Sequence, residues 1–167
     1  ITTNGYWAVL YTGAYCDYDN NPTNSETYGR LYNWYTVNDD RGVCPDGWHV
    51  PSDEEFMGLE MYLGMSEEEA NSTGYRGTNE GSKLAGNSDL WNDGVLVNNS
   101  EFGTSGFNVL PAGYRDHVDG NYFSMGYYGS FWSSSEGSSN YAWRRELHYN
   151  YSSVLRYSNN KRYGFGI

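Results

Sequence analysis

The side chains that could perform nucleophilic or acid–base catalysis are few in this chain and form no motif. It has three histidines, His49, His117 and His148, and none has a Ser or Cys neighbour in a known catalytic pattern. An activated nucleophile needs a base within hydrogen-bonding reach, and no spacing in the sequence indicates such a pair. We therefore expect surface or packing histidines and no enzymatic activity.

Two short stretches contain the residue types that bind calcium. Residues 17–21 place oxygen ligands at alternate positions, but Pro22 and Tyr28 stand where an EF-hand needs Gly and Glu. Residues 91–93 (WND) spell a tripeptide that supplies calcium ligands in sugar-binding C-type lectins, without its usual companion tripeptide. We expect a solvated acidic turn at the first stretch, with a structural Ca²⁺ as the alternative. At the second we expect a core Trp91 followed by a turn, and we expect no cofactor.

The two cysteines, Cys16 and Cys44, lack the close spacing and the further ligands of a zinc site. One alternative is a disulfide between them, which export would favour. The other is two buried thiols. No stretch is long and apolar enough to span a bilayer, so direct membrane insertion is not expected.

The net charge of the chain is −11, which argues against nucleic acid and anionic membranes as partners. The charge is unevenly distributed. The last 38 residues hold five of the ten Lys and Arg side chains but only two of the 21 acidic ones. Either this basic segment packs against the acidic remainder, or it faces a ligand.

The composition predicts one loop-rich domain over residues 1–167. The chain has 18 Tyr, six Trp and 21 Gly, and large aromatic residues in such number argue against disorder. Gly and Asn tolerate positive φ, so their abundance indicates many tight turns. A chain of this length can form a moderate core.

Helix patterns occur early in the chain and strand patterns late, which predicts an α+β fold. Residues 27–37 repeat apolar side chains at helical spacing, with Leu31, Trp34 and Tyr35 on one face. Capping boxes begin at Ser52 and Ser66 and predict two more helices. Short strands are predicted at 107–111 and 131–135.

The clearest alternation lies near the C-terminus, from residue 141 to residue 157. Trp143, Arg145, Leu147 and Tyr149 should face one side of a strand, and Trp143 and Leu147 should be buried. Arg144, Glu146 and His148 should face the other side and be largely exposed. A Tyr-rich, Arg-bearing surface resembles an antibody paratope, because Tyr supplies contact area at low entropic cost. The alternative is that these tyrosines pack on one another.

Several motifs in order resemble the Fibrobacter succinogenes major paralogous domain. The motifs are YGRLYNW at 28–34, CPDGWHVPS at 44–52, GFNVLPAGYR at 106–115, FWSSS at 131–135 and GFGI at 164–167. They cover nearly the whole chain. The resemblance implies a C-type-lectin-like fold with two helices, small antiparallel sheets and chain ends that lie close together.

The region at about 138–163 resembles the variable region of diversity-generating retroelement proteins. In such systems the adenines of a template are randomised, so that Asn codons are replaced while a framework stays fixed. The resemblance implies that the ligand-binding residues are Tyr141, Arg144, Glu146, His148, Tyr151, Ser153, Leu155, Tyr157, Ser158, Arg162 and Tyr163. Glu146 cannot arise from an AAC codon by changes at adenines alone, so its template codon differs or it is not variable.

The sequence thus predicts a diversified ligand-binding protein on a virion or cell surface, which recognises an unidentified protein or glycan. The alternative is a non-variable structural or carbohydrate-binding domain of a bacterial surface protein. A near-copy of the coding region beside a reverse transcriptase gene would separate the two hypotheses.

Overall fold

The computed structural model describes residues 1–167 and confirms the α+β architecture. The helices are α1 (Asn4–Trp7), α2 (Pro22–Tyr28), α3 (Trp34–Val37), α4 (Asp53–Tyr62), α5 (Glu67–Asn71) and α6 (Glu80–Leu84). The strands are β1 (Tyr15–Cys16), β2 (Leu31–Tyr32), β3 (Gly74–Arg76), β4 (Tyr114–Arg115), β5 (Tyr122–Phe123), β6 (Tyr128–Ser138), β7 (Tyr141–His148) and β8 (Val154–Asn160). None of the helices is both long and apolar enough to cross a bilayer.

The main sheet is antiparallel and has the strand order β3-β8-β7-β6. Strand β7 lies between β6 and β8, so both of its edges are paired. The predicted strand at 131–135 is part of β6, which continues in both directions beyond that stretch. The predicted strand at 107–111 is wrong, because only Val109 forms a bridge, to Ala85. Two small two-stranded sheets, β1-β2 and β4-β5, lie outside the main sheet.

Both predicted capping boxes are confirmed, and each begins a helix. Ser52 accepts a hydrogen bond from the backbone N–H of Glu55, whose carboxylate accepts one from the N–H of Ser52. Ser66 and Glu69 form the same reciprocal pair at the start of α5. These bonds satisfy N–H groups that a helix start would otherwise leave unpaired.

The helix predicted over residues 27–37 is wrong, because the chain leaves helical geometry at Gly29. That residue ends α2 with a φ of 79°, which glycine adopts without strain. Leu31 then lies in β2, paired with β1, and Trp34 begins the separate helix α3. Both side chains are buried, so the pattern identified core residues but assigned them to the wrong element.

Helix α4 covers one side of the main sheet, here called the helix side. Phe56 of α4 packs in a core cluster with Phe131 of β6, Leu147 of β7 and Val154 of β8. The centroids of the Phe56 and Phe131 rings are 5.4 Å apart. This cluster is the apolar part of the contact between α4 and the sheet.

A buried charge network, consisting of Asp53, Glu60, Arg76, Arg145 and Arg156, forms the polar part of the same contact. Arg145 donates from Nη1 to Asp53 Oδ1 at 2.6 Å and from Nε to Glu60 Oε1 at 2.7 Å. Arg76 pairs with Glu60 at 2.8 Å, and Arg156 with Asp53 at 2.5 Å. No member is more than 8% exposed. Burial raises the pKa of Asp53, but bonds from Arg156 and Arg145 outweigh it and hold that pKa below its usual value.

The two ends of the chain meet at Arg115, which is fully buried. Its Nη1 donates to the carbonyl of Ile1 at 2.5 Å, and its backbone N–H donates to the carbonyl of Gly164 at 2.9 Å. Phe165 exchanges backbone hydrogen bonds with Tyr32. The ends therefore lie close together, as the resemblance implies.

Candidate ligand-binding face

The side of the sheet opposite α4, here called the open side, carries alternate residues of β7. Leu147 and Arg145 face the helix side and are fully buried. Arg144, Glu146 and His148 therefore face the open side, by the two-residue period of a strand. The pairing of Arg144 with Tyr157, and of Glu146 with Leu155, places those β8 residues on the open side as well.

Seven rings form a continuous strip across the open side, here called the aromatic ribbon. In spatial order its members are Tyr75, Tyr151, His148, Tyr128, Tyr114, Tyr163 and His117. Successive ring centroids are between 4.4 and 6.4 Å apart. Tyr75 is 41% exposed and Tyr151 is 47% exposed. The strip crosses strands β3, β7 and β6, so residues distant in sequence build one surface.

A depression of about 210 Å³ opens in the middle of the aromatic ribbon. Tyr114, Tyr128 and Tyr163 line its sides. Its other lining residues are Arg144, Glu146, Asn159 and Phe165. The depression is thus walled by aromatic rings and contains one guanidinium, one carboxylate and one amide.

The charged groups of this depression form a local hydrogen-bond network. Arg144 donates from Nη1 to Glu146 Oε2 at 2.7 Å and from Nε to Asn159 Oδ1 at 2.5 Å. Ser130 donates to the same Glu146 oxygen at 2.9 Å. The Arg144 guanidinium also lies 4.9 Å from the centroid of the Phe165 ring. Arg144 and Glu146 therefore compensate each other and form a polar floor.

The prediction that Arg144 and Glu146 are largely exposed is wrong. Arg144 is 8% exposed and Glu146 is 6% exposed. The flanking tyrosines of the aromatic ribbon rise above them, and their mutual ion pair makes this burial tolerable. His148 is only half-buried. Trp143, expected to be buried, is also half-buried, with the guanidinium of Arg156 4.2 Å from its ring centroid.

Burial favours the neutral forms of most members of the ribbon. It raises the pKa of Tyr163 to about 12, with Asp116 adding to the effect, and it also raises the pKa of Tyr128. It lowers the pKa of His148 despite the opposing charge of Glu146. The ribbon thus presents uncharged rings with hydroxyl and imidazole groups at neutral pH.

Seven of the predicted binding residues meet on the open side: Arg144, Glu146, His148, Tyr151, Leu155, Tyr157 and Tyr163. The other four do not join them. Tyr141 and Ser158 have the strand parity of the helix side, and Ser153 lies in the turn before β8. Arg162 donates to the carbonyl of Ala8 and lies over the ring of Tyr11. The predicted binding residues therefore do not all lie on one side of the sheet.

Four members of the aromatic ribbon were missed by the sequence-based prediction: Tyr75, Tyr114, Tyr128 and His117. A signal existed only for Tyr128, because extending the FWSSS strand backwards with a period of two places it beside Ser130. Tyr75 pairs with Leu155 from a strand of three residues, and no pattern in the sequence predicts that pairing. Tyr114 and His117 reach the face through tertiary packing.

The remaining candidate groups lie elsewhere. Cys16 and Cys44 form no disulfide; Cys16 is buried but Cys44 is half-exposed, so neither predicted alternative holds for the pair. Trp91 is buried, as predicted. The carboxylate of Asp17 accepts hydrogen bonds from Ser25 and Arg30. No group of three or more His, Cys, Asp or Glu side chains is arranged to hold a metal ion.

Comparison with protein families matches residues 2–167 to the family described as the Fibrobacter succinogenes major domain. The match spans nearly the whole chain and agrees with the resemblance that its motifs carry. No curated protein and no solved structure matches the chain.

Proposed function

We propose that this chain, which belongs to the Fibrobacter succinogenes major domain family, is a binding protein that recognises a cell-surface macromolecule through its open side. The observation that carries the proposal is the aromatic ribbon, an unbroken strip of seven rings with no element packed over Tyr75 and Tyr151. Clusters of exposed aromatic residues are unusual on a monomer and commonly mark interaction sites. The proposed role is recognition and not catalysis.

The finer proposal is that a retroelement diversifies this face within a C-type-lectin-like fold. His148, Tyr151, Leu155 and Tyr157 all occupy positions where a template would carry Asn. Their side chains belong neither to the apolar cluster nor to the buried charge network through which α4 packs on the sheet. The fold therefore does not depend on their identity. On this proposal the protein is displayed on a virion or a cell surface.

One observation favours the non-variable alternative. Arg144, Glu146 and Asn159 are connected by hydrogen bonds, and a random change of one of them would leave a partner unpaired. A fixed polar floor fits a domain with one constant ligand. A diversified protein could keep this floor only if the codons of these residues are not mutated. The codon of Glu146 fits that condition, because it cannot arise from AAC by changes at adenines alone.

The genome that encodes the chain tests the diversification directly. We expect a near-copy of the codons for residues 138–163 beside a reverse transcriptase gene, differing from the gene at adenines of the template. A chain encoded without such a repeat would contradict diversification and leave the non-variable alternative.

Binding itself is tested with fluorescently labelled protein on a panel of intact bacterial cells. We expect staining of at least one strain by the wild type and loss of that staining in the variant Tyr75→Ala/Tyr151→Ala/Tyr157→Ala. The matched control is Tyr62→Ala, because Tyr62 is 87% exposed on α4, on the other side of the sheet. Equal staining by the triple variant and the wild type would refute the role of the open side.

A further inference from the structure

The floor of the depression contains hydrogen-bond donors that the protein does not use. Arg144 donates through Nε and Nη1, and its Nη2 has no acceptor within the protein. Asn159 accepts from Arg144 through Oδ1, and its Nδ2 likewise has no acceptor. Neither atom is among the buried unpaired ones, which are Arg76 Nε and His117 Nδ1. Both donor groups therefore reach solvent in the depression.

The same floor offers one acceptor that is only weakly used. Glu146 Oε2 accepts from Arg144 and Ser130, whereas Oε1 accepts only a 3.3 Å bond from the hydroxyl of Tyr75. A bond of that length is beyond the usual range for a hydroxyl donor. The floor thus combines unpaired donors with a half-satisfied acceptor and has no net charge.

This combination discriminates between classes of ligand. A carboxylate or phosphate would satisfy Arg144 but would be repelled by Glu146 and by a chain of net charge −11. An ammonium group would satisfy Glu146 but would be repelled by Arg144. A hydroxyl both donates and accepts, so neighbouring hydroxyls on one ring satisfy both kinds of group at once.

The walls and the size of the depression indicate what carries these hydroxyls. Tyr114, Tyr128 and Tyr163 line the depression with aromatic rings, against which the C–H groups of a sugar ring can pack. The volume of about 210 Å³ is below the roughly 300–1,000 Å³ of pockets that enclose a whole drug-sized ligand. The depression therefore suits one unit of a longer chain.

We propose that the depression is a subsite for one uncharged hexopyranose unit of an oligosaccharide. Arg144 Nη2 and Asn159 Nδ2 donate to its hydroxyl oxygens, and Glu146 Oε1 accepts from a hydroxyl. The aromatic ribbon continues on both sides, through His148 and Tyr151 in one direction and His117 in the other, and supplies stacking positions for neighbouring units. This inference rests on the proposed binding role of the open side.

The direct test is titration calorimetry with neutral tetrasaccharides of glucose, mannose, galactose and N-acetylglucosamine, with tetragalacturonic acid as the charged comparator. We expect at least one neutral tetrasaccharide to bind with a Kd on the order of 1 mM or tighter, and the charged one not to bind. Asn159→Asp keeps the size of the side chain but replaces the free donor with an acceptor, so it should weaken binding at least tenfold. Tyr128→Leu should do the same by removing a wall.

The control Tyr62→Ala should bind as the wild type does, and thermal melts verify that each variant is folded. The inference is overturned if no neutral tetrasaccharide binds, if only tetragalacturonic acid binds, or if folded Asn159→Asp and Tyr128→Leu both retain wild-type affinity.

A second measurement separates this inference from the proposed function. Cells that the labelled wild type stains are treated with periodate, which cleaves vicinal diols, or with protease. Loss of staining after periodate but not after protease supports the sugar subsite. Loss of staining after protease alone overturns the sugar subsite. If the variant Tyr75→Ala/Tyr151→Ala/Tyr157→Ala still does not stain untreated cells, the binding role of the open side remains.

Discussion

Arg144 and Arg145 are neighbours in β7, yet their guanidinium groups lie on opposite sides of the sheet in different surroundings. Arg145 is fully buried, and all three of its nitrogens donate to Asp53, Glu60 or main-chain oxygens. Arg144 leaves Nη2 without an acceptor in the protein. The same residue type therefore holds the fold on the helix side and offers free donors on the open side.

Strand β7 can therefore contribute to stability through the residues on one side and to recognition through those on the other. Alternate residues of a strand point to opposite sides, so those that face α4 can be fixed while their neighbours differ. The buried charge network and Leu147 fix the helix side. On the open side Tyr114 and Tyr163 pack against the buried Phe165, whereas Tyr75, Tyr151 and Tyr157 are exposed.

The largest expected effect is that of Arg145→Ala on stability. The change leaves Asp53 and Glu60 buried with fewer partners, and breaking a buried pair typically costs about 3–5 kcal/mol. Arg144→Ala is the matched comparison, and we expect a smaller loss, because it breaks one buried ion pair where Arg145→Ala breaks two, and because Glu146 keeps Ser130 as a donor. Urea denaturation measures both, and equal losses would contradict the assignment of stability to the helix side.

The next effect compares Leu147 with its neighbour His148. Leu147→Ala removes a fully buried side chain from the core under α4 and should cost about 2–5 kcal/mol. His148→Ala removes a half-buried ring from the aromatic ribbon and should stay within about 1 kcal/mol. The denaturation midpoints of both variants, measured under the same conditions, test this prediction. A larger loss of stability for His148→Ala would contradict the assignment of Leu147 to the helix side and of His148 to the open side.

The sequence predicted elements well where a local signal determines the structure. The capping boxes at Ser52 and Ser66 begin helices because their bonds lie within four residues. The alternation along β7 correctly divided Arg145 and Leu147 from Arg144 and His148. The stretch at 27–37 failed because Gly29 ends the helix, although the apolar spacing continues past it.

The candidate site was predicted less completely, because much of it depends on long-range pairing. Tyr75 joins the face through its pairing with Leu155, and Tyr114 through its contact with Tyr128 and Tyr163. The exposure of Arg144 and Glu146 was predicted wrongly, since strand parity gives the side of a residue but not what surrounds it. Tyr114 of β4, Tyr128 of β6 and Tyr163, which follows β8, line the depression around this pair.

A smaller effect is expected from the exposed rings of the open side. Tyr151 is 47% exposed and Tyr157 is 54% exposed, so each replacement by Ala should change stability by no more than about 0.5 kcal/mol. The double variant should therefore unfold at nearly the wild-type denaturant concentration. A combined loss above about 2 kcal/mol would mean that these two rings are part of the core and not of a surface free to vary.

The smallest effect is the contribution of His148 to the pH dependence of stability, which separates the two sides of the sheet. On the open side, burial lowers the pKa of His148 below its usual value, although Glu146 raises it, and the rings of Tyr128 and Tyr151 pack beside it. The folded state therefore favours the neutral imidazole, so stability is complete above the unfolded pKa of about 6.5 and declines as pH falls below it. On the helix side, the lowered pKa of Asp53 gives stability that is complete above its unfolded pKa of about 3.9 and is lost only in stronger acid.

We expect the free energy of unfolding, measured from pH 8 to pH 3, to decline slightly below pH 6.5 and steeply below pH 4. His148→Gln should reduce the first decline and leave the second unchanged, and a variant that changes only the second would contradict the placement of His148 apart from the buried charge network.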